Sequence, residues 1–251
     1  MGANVTERRV TGAVDIHSHI LFGIDDGAVE LNDSLNMAKL SASLGTVVMA
    51  ATPHRYYGGR ENTPDKIRSL VAIVQKQVEA LPEKIDFQVV IGQEIPLSLN
   101  TAFEIQMGDV LTYNDAGKFV LVEPPFDRLP DWITEAVSKI RDMGITPVFA
   151  HPERNSVIQK DPSIMREIVK AGAMIQLTAM SLTHDNGNRA YEAAIWALRE
   201  GLVSIVSSDC HSATWRPPLL ELAFIEAIEQ VGLEAATPLF TDNPRRVALS
   251  N

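Results

Sequence analysis

Asp15-Ile16-His17-Ser18-His19 closes the first apolar run of the chain, and Asp25-Asp26-Gly27 follows in what reads as a loop. In a β-strand successive side chains point to opposite faces, so His17 and His19 share one face. The pair stands where the run gives way to a loop, the end at which parallel α/β folds gather their chemistry. Two imidazoles on one side, with the Asp26 carboxylate close behind, make a metal half-site. A lone pair of this kind is as readily structural, so its meaning depends on whether other strand ends carry matching residues.

Outward from this stretch, short apolar runs alternate with amphipathic segments. Strand character is found at 13–17, 46–51, 87–91, 118–122, 146–150, 173–178 and 202–207. Helix starts are marked by Asn32 or Asp33 ahead of 34–44, Thr63 with Pro64, Asp131 ahead of 132–143, and Asp161 with Pro162. Gly45, Gly144, Gly172 and Gly201 mark helix ends. Buried strands alternating with helices imply a parallel sheet, and seven such units predict closure into a (β/α)7 barrel. The stretch after Glu94 is less regular, with a helix expected within 97–108 and a hairpin-like insertion at 112–117. Residues 55–62 read as a long polar loop. At 251 residues, one barrel domain spanning 1–251 is expected.

Composition removes several classes. Apolar residues make up 45% of the chain, enough for a large core. No uninterrupted apolar run approaches the ~20 residues of a membrane span. Residues 1–9 carry two arginines with no apolar stretch behind them, so no signal peptide is expected and the cytoplasm is the expected compartment. One cysteine, Cys210, excludes an internal disulfide and suits a reducing compartment. A net charge of −10 without a Lys/Arg cluster argues against nucleic-acid binding.

The other strand ends do carry matching residues: Thr52-Pro53-His54-Arg55, Gly92-Gln93-Glu94, Glu123-Pro124-Pro125-Phe126, His151-Pro152-Glu153-Arg154-Asn155 and Ser208-Asp209-Cys210-His211. Five of the six histidines are used in this way, and the sixth, His184, reads as a loop residue without a catalytic role. For any one position a surface residue or a buried ion pair would suffice as an explanation. The joint pattern of His17, His19, Asp26, His54, Glu94, Glu123, His151, Asp209 and His211 points to metal. These donors exceed the needs of one ion, so a multinuclear centre follows, and mixed His/carboxylate ligation suits manganese, iron or zinc better than calcium. Two ions held close together can bridge a hydroxide, a nucleophile at neutral pH, so the expected reaction is hydrolysis.

H-x-H with D-D-G, T-P-H, G-Q-E, E-P-P-F, H-P-E-R and S-D-x-H-x(4)-R-P-P together resemble the polymerase-and-histidinol-phosphatase (PHP) phosphoesterases. Within them, the chain is most similar to the bacterial tyrosine-protein phosphatases of capsule and exopolysaccharide loci. The resemblance runs from Val14 to Arg246 and takes in Asp242-Asn243-Pro244. It implies a distorted (β/α)7 TIM-like barrel and three divalent ions, manganese foremost, on the nine residues named, with Glu94 bridging. It also implies that Arg154 and Arg216 bind the phosphate, which fits the bidentate grip of guanidinium on phosphate oxygens. Asp209 and His211 complete the expected catalytic set, with His211 or a bound water as proton donor to the phenol. The substrate so implied is a phosphotyrosine protein, namely a tyrosine autokinase of polysaccharide export. Tyr56, Tyr57 and Phe126 are candidate flanks for the phenyl ring.

Cys210 and Arg216 also have the C-x(5)-R spacing of cysteine-dependent phosphatases. The residues between them include no glycine and a bulky Trp215, which suits a tight anion-cradling loop poorly, and Asp209 disfavours a thiolate. Histidinol phosphate or a nucleotide is the alternative substrate on the same fold. A metal-dependent amidohydrolase is the alternative superfamily, although Glu94 and Glu123 stand where its carboxylated lysine or second histidine pair would be.

Overall fold

The computed structural model describes residues 10–250. The stretch 1–9, on which the signal-peptide expectation falls, lies outside them. The chain opens with β1 (Ala13–Ser18), α1 (Leu31–Ser43), β2 (Thr46–Ala51) and a two-stranded hairpin of β3 (Tyr56–Tyr57) and β4 (Arg60–Glu61). It continues through α2 (Pro64–Glu79), β5 (Gln88–Ile91), β6 (Glu94–Pro96), α3 (Thr101–Met107), β7 (Phe119–Glu123), α4 (Ile133–Asp142) and β8 (Thr146–Ala150). The last third holds α5 (Ile164–Lys170), β9 (Met174–Thr178), α6 (Ala179–Leu182), α7 (Asn188–Arg199), β10 (Val203–Ser207), α8 (Glu221–Val231), α9 (Leu233–Phe240) and α10 (Asp242–Ala248). Among the described residues no helix is long and apolar enough to cross a membrane.

All seven expected strands form, within a residue or two of their expected bounds, and the helices alternate with them. The outer helices show why. Ile133, Ala136, Val137 and Ile140 of α4 are buried at the spacing of one helix face, as are Ile67, Val71, Val74 and Val78 of α2. Gly45, Gly144, Gly172 and Gly201 each take positive φ just past a helix end, as expected.

Three local expectations need correction. Helix α1 starts at Leu31 because Glu30 is its N-cap, and Asp33 reaches back to accept the Glu30 and Val29 amides at 3.0 and 3.2 Å. Neither Asn32 nor Asp33 caps it. Trp132 and Ser163, not Asp131 and Asp161, cap α4 and α5; the Asp161 carboxylate instead accepts the Ser163 amide and hydroxyl. Residues 112–117 form a 3₁₀ turn closed by the Gly117 amide donating to the Thr112 hydroxyl at 2.9 Å, not a hairpin. The hairpin lies in the expected polar loop, where Gly58-Gly59 at φ 57° and 75° makes the two-residue turn between β3 and β4.

The strands form two parallel sheets, β1-β2-β5 and β10-β9-β8-β7-β6, rather than one uninterrupted closed ladder. Their edges approach at two seams. At one, the Asp209 amide donates to the His17 carbonyl at 2.9 Å and the His19 amide to the Cys210 carbonyl at 2.8 Å. At the other, β5 and β6 are halves of one interrupted strand: β5 pairs with β2, whereas β6 pairs with β7. The Glu94 amide donates to the Pro53 carbonyl and the Arg55 amide to the Glu94 carbonyl. Both seams lie at the carboxyl ends of the strands.

One buried cluster joins Val14, Ile16, Val48, Ala50, Leu121, Val148, Ala150 and Ile205 from the strands to Tyr113 and to Val247 and Ala248 of α10. Arg245 of α10 donates to the Gly12 carbonyl at 3.0 Å, so this helix sits at the amino end of the strands, away from the seams. In the register of β1 against β2 an irregularity falls between Asp15 and Ser18. One extra residue reverses face parity. Val14 and Ile16 therefore pack in the cluster below, and His17 and His19 still reach the same interior above.

Tyr113 is buried and donates its hydroxyl to the Ile16 carbonyl at 2.8 Å. Tyr113→Phe leaves that carbonyl without its partner. It should lower stability by ~1–2 kcal/mol, seen as a fall in Tm of roughly 2–8 °C. An unchanged melting curve would contradict this role.

Candidate metal centre

The strand ends bring together all nine predicted donors. His17 is the penultimate residue of β1 with His19 just beyond the strand, Asp26 lies in the following loop, and His54 follows β2. Glu94 opens β6, Glu123 closes β7, His151 follows β8, and Asp209 and His211 follow β10. Four overlapping groups have donor atoms within 4.8 Å of one another: His19, Asp26, His54 and His211; His17, His19 and Glu94; His17, His151 and Asp209; and His54, Glu94 and Glu123. His184 is elsewhere, contacting Asn188 and stacked on Tyr191.

The spacing inside the cluster fits shared cations. His17 Nε2 lies 3.1 Å from Glu94 Oε1 and 3.5 Å from Asp209 Oδ1. His19 Nε2 lies 3.6 and 3.4 Å from the same two carboxylates, and Asp26 Oδ1 lies 3.5 Å from both His54 Nε2 and His211 Nε2. Two donors each ~2.1 Å from one ion stand roughly 3.0–3.4 Å apart. Buried His17 Nε2, His19 Nε2, Asp26 Oδ1 and Glu94 Oε2 have no hydrogen-bond partner despite this crowding. Ser34 Oγ, Ser41 Oγ, Glu153 Oε2 and Thr178 Oγ1 are orphaned too, outside the cluster, but only the four within it lie side by side where a divalent ion would take their lone pairs.

The outer ring sets the tautomers. Asp25 Oδ2 accepts from His19 Nδ1 at 2.8 Å and from the His54 amide at 3.1 Å, and Gln176 Oε1 accepts from His17 Nδ1 at 3.0 Å. The Asp209 carbonyl does the same for His211 Nδ1 at 3.0 Å. With the proton held on Nδ1, His17 and His19 turn their Nε2 lone pairs to the centre, whereas His211 Nε2 accepts from Arg216 Nη1 at 3.0 Å. The loop before α1 lies close against β1. A Cβ added at Gly27 would fall 2.0 Å from the His19 carbonyl oxygen, so only glycine lets Asp25 and Asp26 come this near.

Charge in the site is unbalanced toward carboxylate. Burial opposes ionisation of His17, yet Glu94 and Asp209 outweigh it and hold the imidazole up at about 9. Burial and then the neighbouring Glu94 push Glu123 up to about 8. Glu94 and Asp209 stay well below the usual carboxylate range because the imidazoles around them, with Arg216 beside Asp209, outweigh their burial. A buried site that recruits protons in this way is one that cations neutralise.

Over the cluster opens a cleft of about 130 Å³ lined by Phe126, Arg154 and Arg216 as well as by donors. Both guanidiniums converge on Asp209 Oδ2, Arg154 at 2.8 Å and Arg216 at 2.6 Å. Phe126 stacks on His151 with ring centroids 5.5 Å apart and lies under the Arg154 guanidinium. Tyr57 stacks on His54 at 6.4 Å, whereas Tyr56 lies under Arg55. Cys210 is fully buried among apolar neighbours, and burial, followed by Asp15, pushes its thiol up. The amides of His211 and Ser212 donate to the Arg216 carbonyl, so this C-x(5)-R loop does not turn them toward a phosphate.

Asp25 and Gln176 were not singled out in the sequence. Gln176 had a signal, a polar residue in the otherwise apolar β9 run, and Asp25 had its place beside Asp26. Glu153 is a further buried carboxylate, accepting the Thr178 amide and the Ser181 hydroxyl, and ties the loop after β8 to β9.

Fold and site together define a hydrolase on a parallel α/β frame, with clusters of histidine and carboxylate side chains that could hold metal. More particularly, residues 13–249 match the family model for capsular polysaccharide synthesis, CpsB/CapC, and the chain belongs to that family. It is 33% identical over 203 residues to the tyrosine-protein phosphatase YwqE of Bacillus subtilis, covering 81% of this chain and 79% of that one. It is 32% identical over 241 residues to the tyrosine-protein phosphatase CpsB of Streptococcus agalactiae, covering 93% and 97%. A crystal structure from the pair YwqE of Bacillus subtilis and CpsB of Streptococcus pneumoniae, metal-dependent tyrosine phosphatases, matches with a TM-score of 0.89 at 30% identity over 95% of each chain.

Asp25→Ala removes the acceptor shared by His19 and the His54 amide. Divalent-ion affinity should fall about 10–100-fold in a metal titration, with the far-UV circular dichroism unchanged. Undiminished affinity would show that Asp25 does not orient the ligands.

Proposed function

We propose that this chain is a metal-dependent protein-tyrosine phosphatase. The observation that carries the reading is the convergence of Arg154 and Arg216 at the mouth of a cleft whose floor is a cluster of nine potential metal donors. The overlapping donor groups would offer places for three divalent ions, and Glu94 belongs to two of those groups. Mixed histidine and carboxylate ligation favours manganese, with iron or zinc as the alternatives. Bound ions would supply Lewis-acid polarisation of phosphate oxygens and activation of water near neutral pH.

The chain's own residues do the rest. The planar forks of Arg154 and Arg216 bind phosphate oxygens and stabilise the charge that grows on them as the ester bond breaks. Asp209, which contacts both guanidiniums, holds the forks in place. Phe126, half exposed at the cleft wall and fixed against His151, gives the phenyl ring of phosphotyrosine a face to lie on. The phenol leaves with a pKa of about 10, so it needs little help from an acid. The substrate in the cell is a phosphotyrosine protein, a tyrosine autokinase of polysaccharide export, met in the cytoplasm.

The test is hydrolysis of a phosphotyrosine peptide. Chelation should abolish it and manganese restore it. Arg154→Ala and Arg216→Ala should each lower kcat/KM by about 10²–10³, while Cys210→Ala stays near wild type. Activity that survives chelation but not Cys210→Ala would overturn the metal reading. A metal-dependent enzyme active on histidinol phosphate or a nucleotide and inert on phosphotyrosine would overturn the substrate.

A further inference from the structure

The segment that carries Arg216 shapes a second concavity next to the cleft. Trp215, Pro217, Leu219 and Leu222 line it with Met180 and Asp185, around a volume of about 160 Å³. Trp215, Leu219 and Leu222 are 61%, 40% and 60% exposed, a concentration of apolar surface that marks a binding site rather than scattered surface residues. The metal cleft has the opposite character, being ionic on nearly every side.

Three consecutive residues divide between the two hollows. Trp215 and Pro217 line the groove and Arg216 between them lines the cleft. The indole meets the His211 ring edge-on with centroids 5.7 Å apart, and the Arg216 guanidinium lies 5.7 Å from the indole centroid. An extended peptide advances roughly 3.3 Å per residue. A side chain within three residues of a phosphotyrosine held by Arg216 therefore comes to the groove.

We propose that this groove is a substrate subsite that takes one apolar side chain, of leucine or methionine size, flanking the phosphotyrosine. The proposal rests on the phosphatase reading and adds a sequence preference to it. Asp185 at the groove repels an acidic residue at the same position. Seven lining residues are too few for a second copy of the chain, since a stable interface uses about 20–30 per side.

The experiment uses the manganese-loaded full chain and phosphotyrosine peptides with alanine at every flanking position. One leucine is walked from three residues before the phosphotyrosine to three after, and p-nitrophenyl phosphate serves as a substrate that cannot reach the groove. At one position leucine should raise kcat/KM about tenfold through KM, and aspartate there should fall below alanine. Leu222→Asp, an exposed change outside the cleft, should erase the leucine gain and leave p-nitrophenyl phosphate turnover unchanged, which also reports an intact fold. Equal kcat/KM for all leucine positions overturns the subsite, as does a gain that survives Leu222→Asp. A dimer in solution that Leu222→Asp dissociates, with no peptide preference, assigns the groove to a second copy and overturns it too. Wild type active on p-nitrophenyl phosphate but on no phosphotyrosine peptide overturns the substrate class and the subsite together.

Discussion

The Glu94 carboxylate is almost fully buried and touches four imidazoles: His17 and His151 at 3.1 Å, His54 at 2.8 Å and His19 at 3.6 Å. A carboxylate in so dry a place is tolerated only with positive charge around it. The four rings come from the ends of β1, β2 and β8, so that requirement draws three separate strand ends to one point. Glu94 itself opens β6, where the third strand of the barrel leaves β2 and joins β7. The interruption that splits the ladder into two sheets thus delivers the central ligand. The centre and the seams are one feature of the fold.

Precision at the centre has a backbone cost. Among the described residues, five other than glycine take positive φ, and two of them are His151 at 30° and Asp209 at 53°. Such conformations cost about 1–3 kcal/mol each and persist where the surroundings fix them. Here the fixing contacts are visible. The His151 carbonyl accepts the Arg154 amide, the Asp209 amide donates across the seam to the His17 carbonyl, and the Asp209 carboxylate holds both arginines. The same strained turns that aim these two side chains into the cluster also set Arg154 and Arg216 against Asp209.

Much of this was legible in the residues. Seven apolar runs, six of them ending in His, Asp or Glu, gave the alternating fold and the nine candidate donors that the structure clusters, because burial and ligation both leave their mark at fixed places on a strand. What escaped was of two kinds. Short-range geometry hid the capping role of Glu30 and the hairpin at Tyr56 to Glu61, the latter behind polar side chains although Gly58-Gly59 is a turn signal. Long-range contact hid Asp25 and Gln176, whose partners His19 and His17 are 6 and 159 positions away. Periodicity carries no information on which polar residue will meet which ring. Closure was read as one ring of strands, and the structure has two sheets meeting at hydrogen-bonded seams instead.

We propose that these nine side chains would hold several divalent ions around Glu94. Anomalous diffraction at the manganese edge from crystals of the manganese-loaded protein tests it most directly. The account predicts separate peaks within the donor cluster, Glu94 touching more than one of them, and Arg154 and Arg216 facing them across the cleft. A single peak away from Glu94, or no peak among these residues, would contradict it.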